Sequence, residues 1–400
     1  MTALRILHVV PYYEQAWAYG GIPRLATTMT RALARRGHRV TVCTTDVRDD
    51  RTRASATCPS AHGVDVRMFP NISNAIAYHL QFFTPVGLRR FLRRSAAGFD
   101  IAHIHACHNL PGVIAASELS RARVPYVVSP NGTARPIERR TMAKQLFALT
   151  AGRSMLPGAA RIIAVSQAEA THFREMGIDD SSIVHIPNPI DETEFDFADP
   201  DGFRSRMHLG DAPVVLFLGK LTPRKGVGDL VRAFGLLSDP RSTLVIAGND
   251  MGAGRGVESL VGGLGLEKRV LRVGLLTGRA RLDALAAASV VVYPSRHEIF
   301  GLVPLEALLS GTPVIVGNDS GCGEVISATG GGCVVPPGDV PILTAAIETV
   351  LANQVEWRSR ARSAATVVRQ RFGSEIVCEL LECLYSDIID DRSVPSRMRA

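Results

Sequence analysis

The 400-residue chain has no apolar run long enough to cross a bilayer. The longest, Ala284–Tyr293, contains a serine and falls well short of the roughly 20 residues that a spanning helix needs. The seven cysteines (Cys43, Cys58, Cys107, Cys322, Cys333, Cys378 and Cys383) are odd in number, scattered and without a CxxC pair. That points away from a disulfide framework and toward reduced thiols in a cytosolic protein. Pro11 cuts the short run Ile6–Val10, so no cleavable leader is expected. No GxGxxG opens the first strand of either half, and no repeat or low-complexity tract is present. What remains is an ordinary globular composition with a formal net charge of +7, which suits an anionic partner: a nucleotide, a phospholipid surface or a nucleic acid.

The length suggests two domains. In the first half, β-branched runs at Arg5–Val10, Arg39–Thr44, Ile101–His105, Tyr126–Ser129 and Arg161–Val165 alternate with helical patterns. One helix follows the Gly20-Gly21 loop through RLATTMTRALARRG and stops at Gly37. Runs that are apolar without alternation are buried on both faces, which implies parallel sheets covered by helices. The segment His185–Gly202, rich in Pro, Asp and Asn, reads as a linker. The pattern then restarts, with strands at Val214–Leu218, Leu244–Ala247, Val270–Val273, Val290–Tyr293, Val314–Val316 and Cys333–Val335. The expected architecture is α/β: two Rossmann-like doubly wound parallel-sheet domains, residues 1–190 and 203–372, facing across a cleft, with a last helix over 374–390 packing back on the first.

Ligands in open parallel sheets sit past the carboxyl ends of the strands. There FLGKLTPRKGVG sets Gly219, Lys220 and Lys225 between a strand and a helix start, an anion site in charge and in free amides. In HEIFGLVPLEALLSGTPV, Glu298 falls in the loop past a strand, and Pro304 fits the first turn of a helix. Glu306 is expected in that same turn, where a carboxylate is favoured by the helix dipole. The amides of Gly301, Leu302 and Val303 lie between the two acids, and Gly301 permits close approach to the backbone. Taken singly, each glutamate also reads as an ordinary surface or helix-start acid.

PSRHEIFGLVPLEALLSGTPVIVGNDSGCGEVI closely resembles the E-x7-E signature region of the family 4 retaining glycosyltransferases of GT-B fold. GKLTPRKG, VIAGND, RVGLLTG, GGGCVVPPGD and the SQAEATHFREMGI…IPNPID segment resemble further family motifs in order, across nearly the whole chain. The resemblance implies a hexosyltransferase acting on a nucleoside-diphosphate sugar, UDP- or GDP-linked, with no metal or other cofactor. It implies Glu298 at the transferred sugar, Glu306 at the ribose, and Lys220 and Lys225 at the diphosphate. Gly20 and Gly21 would close over the diphosphate, and Phe300, Gly301 and Leu302 would line the sugar pocket. Two positions depart from the family: Lys220 stands where Arg is usual, losing a bidentate fork, and Asn131 stands where a histidine is frequent, which removes a proton acceptor. The implied acceptor is a glycan, glycolipid or small-molecule hydroxyl in polysaccharide, envelope or natural-product synthesis.

Two other strings are expected to be inert. Asp199-Pro-Asp201 fits a D-x-D metal motif but lies in the linker. HIHACH mimics a metal cluster through His103, His105 and His108, but no distal set completes it, and these histidines, His105 foremost, read as acceptor-side or packing residues. Basic segments at Phe82–Phe99 and Arg135–Phe147 suit either a solvated face or peripheral contact with anionic lipid at the inner face of the cell membrane. No nucleic-acid-binding module is recognised. The competing functions are a GT-B sugar phosphorylase, a sugar-nucleotide epimerase, or a non-catalytic nucleotide-sugar-binding homologue.

Overall fold

A computed structural model describes residues 2–55, 63–134 and 155–393. The chain divides into two compact units, Met1–Pro189 with Ser374–Ala400, and Ile190–Gly373.

The first unit is built on seven strands: β1 (Arg5–Val9), β2 (Arg39–Thr45), β3 (Asp65–Phe69), β4 (Ile101–His105), β5 (Tyr126–Ser129), β6 (Arg161–Ala164) and β7 (Ile183–His185). All pair in parallel, in the order β3-β2-β1-β4-β5-β6-β7. The central strands are the apolar runs, and their side chains are fully buried on both faces. The edge strands β3 and β7 are only half-buried, and the sequence reading missed both. The first helix spans Gly21–Arg35, three residues earlier than the pattern suggested. Pro23 falls in its first turn, where the N–H it lacks has no intrahelical partner anyway.

The last helix, Ser374–Ser393, packs on the Gly21–Arg35 helix. Glu382 fixes it, accepting from Arg36 Nε at 2.6 Å and Nη2 at 2.8 Å. His38 Nδ1 accepts from the Leu4 amide, so its Nε2 carries the proton and donates to Glu382 at 2.9 Å.

The second unit has six parallel strands: β8 (Val214–Leu218), β9 (Thr243–Ala247), β10 (Val270–Gly274), β11 (Val290–Tyr293), β12 (Val314–Gly317) and β13 (Gly332–Val335). Their order is β10-β9-β8-β11-β12-β13. Val215, Phe217, Val290 and Val292 project from the sheet into a core shared with Leu230, Phe234 and Ile347. The segment read as a linker is structured. It carries the end of β7, a 3-10 turn at Glu192–Phe197 and the start of the Pro200–Arg206 helix. In both sheets the strand order reverses once, at β1/β4 and at β8/β11. Such reversals leave a crevice past the carboxyl ends of the two strands.

Candidate functional site

In the second unit the loops after β8, β11 and β12 are stapled together at this reversal. Gly226 closes the Pro223–Lys225 turn with φ +68°, and a Cβ there would stand 2.3 Å from the Pro294 carbonyl oxygen. Only glycine allows both the left-handed backbone and the approach, which sets Lys225 beside the Pro294–Gly301 loop. The Arg296 amide donates to Arg224 O at 2.9 Å, and Arg224 Nη1 returns bonds to Arg296 O and His297 O at 3.1 and 3.2 Å. From the other side, the His297 amide donates to Asp319 Oδ2 at 3.0 Å, and Ser320 Oγ and the Cys322 amide both donate to Glu298 O at 2.8 Å.

The loop presents Glu298 to four cationic or hydroxylic partners, the Tyr293 hydroxyl the most distant at 3.4 Å. Its Oε2 lies 2.5 Å from Lys225 Nζ and 3.2 Å from Arg224 Nη1, and accepts from Ser295 Oγ at 3.0 Å. Lys225 is only 5 % exposed, also donates to the Tyr293 hydroxyl, and sits 4.6 Å from the centroid of that ring. Burial alone would push the Glu298 carboxyl up. Lys225 and Arg224 outweigh it and hold the group down at about 2. Burial and the neighbouring Glu298 charge push the Tyr293 phenol well above its ordinary range, so it remains a neutral hydroxyl. The result is a fixed anion within a surplus of positive charge.

Lys220 and Gly219 follow β8 at the same end of the sheet and are half-buried. Gly219 is approached by the next loop: a Cβ on Gly248 would lie 1.8 Å from Gly219 O. Gly301 is the N-cap of the Leu302–Leu309 helix, with φ +80°, and a Cβ there would meet Cys322 Sγ at 2.6 Å. Leu302 and Val303 open that helix half-buried, and Phe300 is buried edge-on against Phe372 at 5.6 Å. Glu306 corrects its expected place. With the helix starting at Leu302 it falls in the second turn, 1 % exposed, and the dipole of the first turn does not explain it. Its charge is met instead by Arg281 Nη1, 2.6 Å from Oε2. That contact lies off the line of a hydrogen bond, so it is an ion pair of poor direction. Arg224, Arg281 and Asp319 join the site from outside the expected set, as do Tyr293 and Ser295, which contact Lys225 and Glu298.

The first unit holds the remaining candidates. Gly20, φ +100°, is the N-cap of the Gly21–Arg35 helix, and Gly21 its exposed first residue. Asn131 follows β5 with φ +53°, its Nδ2 donating to Ser129 O at 3.1 Å. The neighbouring turn is held from below by Glu169, which accepts from the Gly132 amide at 2.6 Å and the Val165 amide at 3.0 Å. Burial lifts this carboxyl to about 7 against those two bonds.

Of the two readings of His105, acceptor-side or packing, its surroundings fit packing. It is fully buried, paired with His8 Nδ1 through Nε2 at 2.9 Å, and burial pushes it down to about 3. His103 is spent on Tyr385 and Ser129, both at 2.7 Å. His108 turns away to Ala134 O, and His8 completes the trio instead. The three rings do not suit a metal. His103 and His105 are stacked, with centroids 4.3 Å apart and planes 10° from parallel, whereas ring lone pairs lie in-plane and must converge at about 2 Å from one ion. Asp199 of the D-x-D string is a helix cap, accepting from the Gly202 amide at 2.9 Å. The basic segment Arg135–Phe147 lies outside the described residues.

Residues 19–194 match the family described as Glycosyltransferase Family 4, and residues 202–367 match Glycosyl transferases group 1. A D-inositol 3-phosphate glycosyltransferase of Kineococcus radiotolerans is 30 % identical over 428 residues, spanning 98 % of this chain and 96 % of the relative. The chain belongs to the family 4 type of glycosyltransferases. A second relative of the same name, from Xylanimonas cellulosilytica, is 29 % identical over 88 % of both chains. Among solved structures, Anabaena HepE in complex with UDP and glucose superposes with a TM-score of 0.79 at 21 % identity, over 96 % of this chain and 100 % of that one. Sucrose-phosphate synthase from Thermosynechococcus elongatus gives 0.76 at 22 % identity, over 97 % and 100 %. These likenesses establish the GT-B fold for this glycosyltransferase.

Proposed function

We propose that this glycosyltransferase moves a hexose-type sugar from a UDP- or GDP-sugar to an acceptor hydroxyl with retention of configuration. One observation carries the reading: the Lys225–Glu298–Arg224 constellation lies at the β8/β11 reversal, beside the start of the Leu302–Leu309 helix. Lys225, Lys220 and the amides of Leu302 and Val303 are suited to the charge that grows on a departing diphosphate. Glu298 would orient the sugar and Glu306 the ribose. In a retaining step the acceptor oxygen bonds to the anomeric carbon on the face from which the diphosphate leaves. The anomeric C–O bond breaks, the hydroxyl proton passes to a diphosphate oxygen, and the nucleoside diphosphate is released. The cations supplied by the chain take the role that a metal plays elsewhere.

The test is release of nucleoside diphosphate from a panel of UDP- and GDP-sugars, with glycan, glycolipid and polyol-phosphate acceptors, inositol 3-phosphate among them because of the relatives' name. One donor should turn over, equally in EDTA, with the product keeping its donor's anomeric configuration. A changed sugar nucleotide with no acceptor present would make the protein an epimerase. Turnover only with orthophosphate would make it a phosphorylase.

The first unit supports a lipid-linked acceptor at an anionic membrane. Ile72, Ile76, Phe82 and Val86 are exposed at 71, 44, 46 and 55 %, an unusual run of bare apolar side chains. The Leu88–Ser95 helix follows directly and exposes Arg89, Arg90, Arg93 and Arg94. Arg89 and Arg93 both lie 3.6 Å from Glu118, so part of that charge is balanced within the protein. Vesicles containing phosphatidylglycerol should sediment the protein, and Arg90→Glu with Arg94→Glu should abolish this. Equal binding to neutral phosphatidylcholine vesicles would contradict it.

A further inference from the structure

Arg281 was not among the residues expected to matter, yet its setting is exceptional. It lies on the Gly278–Ala287 helix, is 3 % exposed, and divides its guanidinium between two carboxylates. Nη1 stands 2.6 Å from Glu306 Oε2, while Nη2 donates to Glu194 Oε2 at 2.7 Å. The two acids come from different segments, Glu306 from the Leu302–Leu309 helix and Glu194 from the Glu192–Phe197 turn. The guanidinium carbon also lies 5.9 Å from the ring centroid of Phe195, so packing as well as charge limits its movement. A guanidinium is a rigid planar fork, and holding one prong fixes the other. A carboxylate as deeply buried as Glu306 is costly without a cation, and a cation so constrained draws the carboxylate toward one place by charge, even off the line of a hydrogen bond.

We propose that Arg281 is a positioning residue for nucleotide recognition, acting through Glu306: it holds the carboxylate in the orientation that accepts the vicinal hydroxyls of a ribose, and Glu194 holds Arg281 in turn. The inference rests on the reading of Glu306 as the ribose-binding acid. Arg281 itself touches no ligand. It therefore predicts a defect confined to the ribose, leaving recognition of the diphosphate intact.

Calorimetric titration of UDP against 2′-deoxy-UDP, and of GDP against 2′-deoxy-GDP, separates these contributions. The wild type should prefer the ribonucleotide by about tenfold, one hydroxyl's hydrogen bond. Glu306→Gln and Arg281→Leu should each abolish most of that preference while the deoxynucleotide still binds. Arg281→Lys should restore part of it, and Glu194→Gln should weaken it a few-fold; both keep a charged or polar partner in place should Arg281→Leu fail to fold. If the Arg281 variants weaken ribo- and deoxynucleotide equally, or leave the preference untouched, Arg281 is merely structural and the proposal falls. If the wild type shows no preference, or Glu306→Gln keeps it, the ribose assignment itself is wrong, a failure visible without any Arg281 variant.

Discussion

Replacing Lys225 by Met lowers turnover roughly a hundred- to a thousandfold, the scale seen when one preorganised electrostatic contact to developing charge is removed. The side chain is nearly isosteric, so the cavity term is small and the change is chiefly one of charge. It acts twice. The diphosphate loses the ammonium that meets its growing charge, and Glu298 loses its nearest cation, 2.5 Å away. Arg224 at 3.2 Å and Ser295 at 3.0 Å still attend that carboxylate. The fold should therefore lose about 3 kcal/mol, the low end for breaking a buried pair, rather than collapse. Steady-state kinetics with whichever donor the sugar-nucleotide panel selects, beside thermal unfolding, separates the two effects. A Met variant that keeps more than half of wild-type turnover would mean that the diphosphate charge is met elsewhere.

The second large effect concerns Glu298 and acid. Held down at about 2 from an ordinary 4.5, its carboxylate is more acidic in the folded chain than in the unfolded one. A group depressed in this way contributes stability that is fully present above pH 4.5 and is lost as the pH falls through 4.5 toward 2. The difference amounts to about 3 kcal/mol. Glu298→Gln abolishes that contribution and leaves Lys225 buried without its anion. The variant is expected to be markedly less stable than the wild type at pH 6. That gap should narrow on acidification to pH 3, measured by denaturant unfolding at the two values. Turnover should fall about a hundredfold or more, because the same carboxylate is assigned to the transferred sugar. Parallel pH profiles for the two proteins would show that Glu298 titrates normally and that the ion pair with Lys225 does not hold.

How legible this was depended on burial. The central strands β8 and β11 announce themselves because both faces are covered and their sequences run apolar without alternation. β3, with sequence DVRMF, and β7, three residues long, lie at sheet edges with one side open, so charge interrupts the run and no such signal exists. Glu298 was found through its place past a strand. Glu306 lies two residues further into its helix than expected, because Pro304 fits the third helical position as readily as the first. Arg281 left only a faint trace: it stands four residues before buried Leu285, on a helix face that should be apolar. An arginine there asks for an anion, but the anions are 25 residues ahead and 87 behind, a distance that only the fold closes. His105 keeps two readings in sequence for the complementary reason, since a strand's carboxyl end is where ligands bind and nothing local shows that His8 packs against it.

The second unit's Lys225–Glu298 constellation is proposed to bind the diphosphate of a sugar nucleotide. Isothermal titration of UDP and GDP into the wild type and Lys225→Met tests it most directly. One nucleoside diphosphate should bind the wild type, with its affinity falling at least tenfold in the variant, while the corresponding nucleoside, lacking phosphate, is unaffected by the change. If neither diphosphate binds, or if one binds both proteins equally well, the donor site lies elsewhere and the assignment of these residues is wrong.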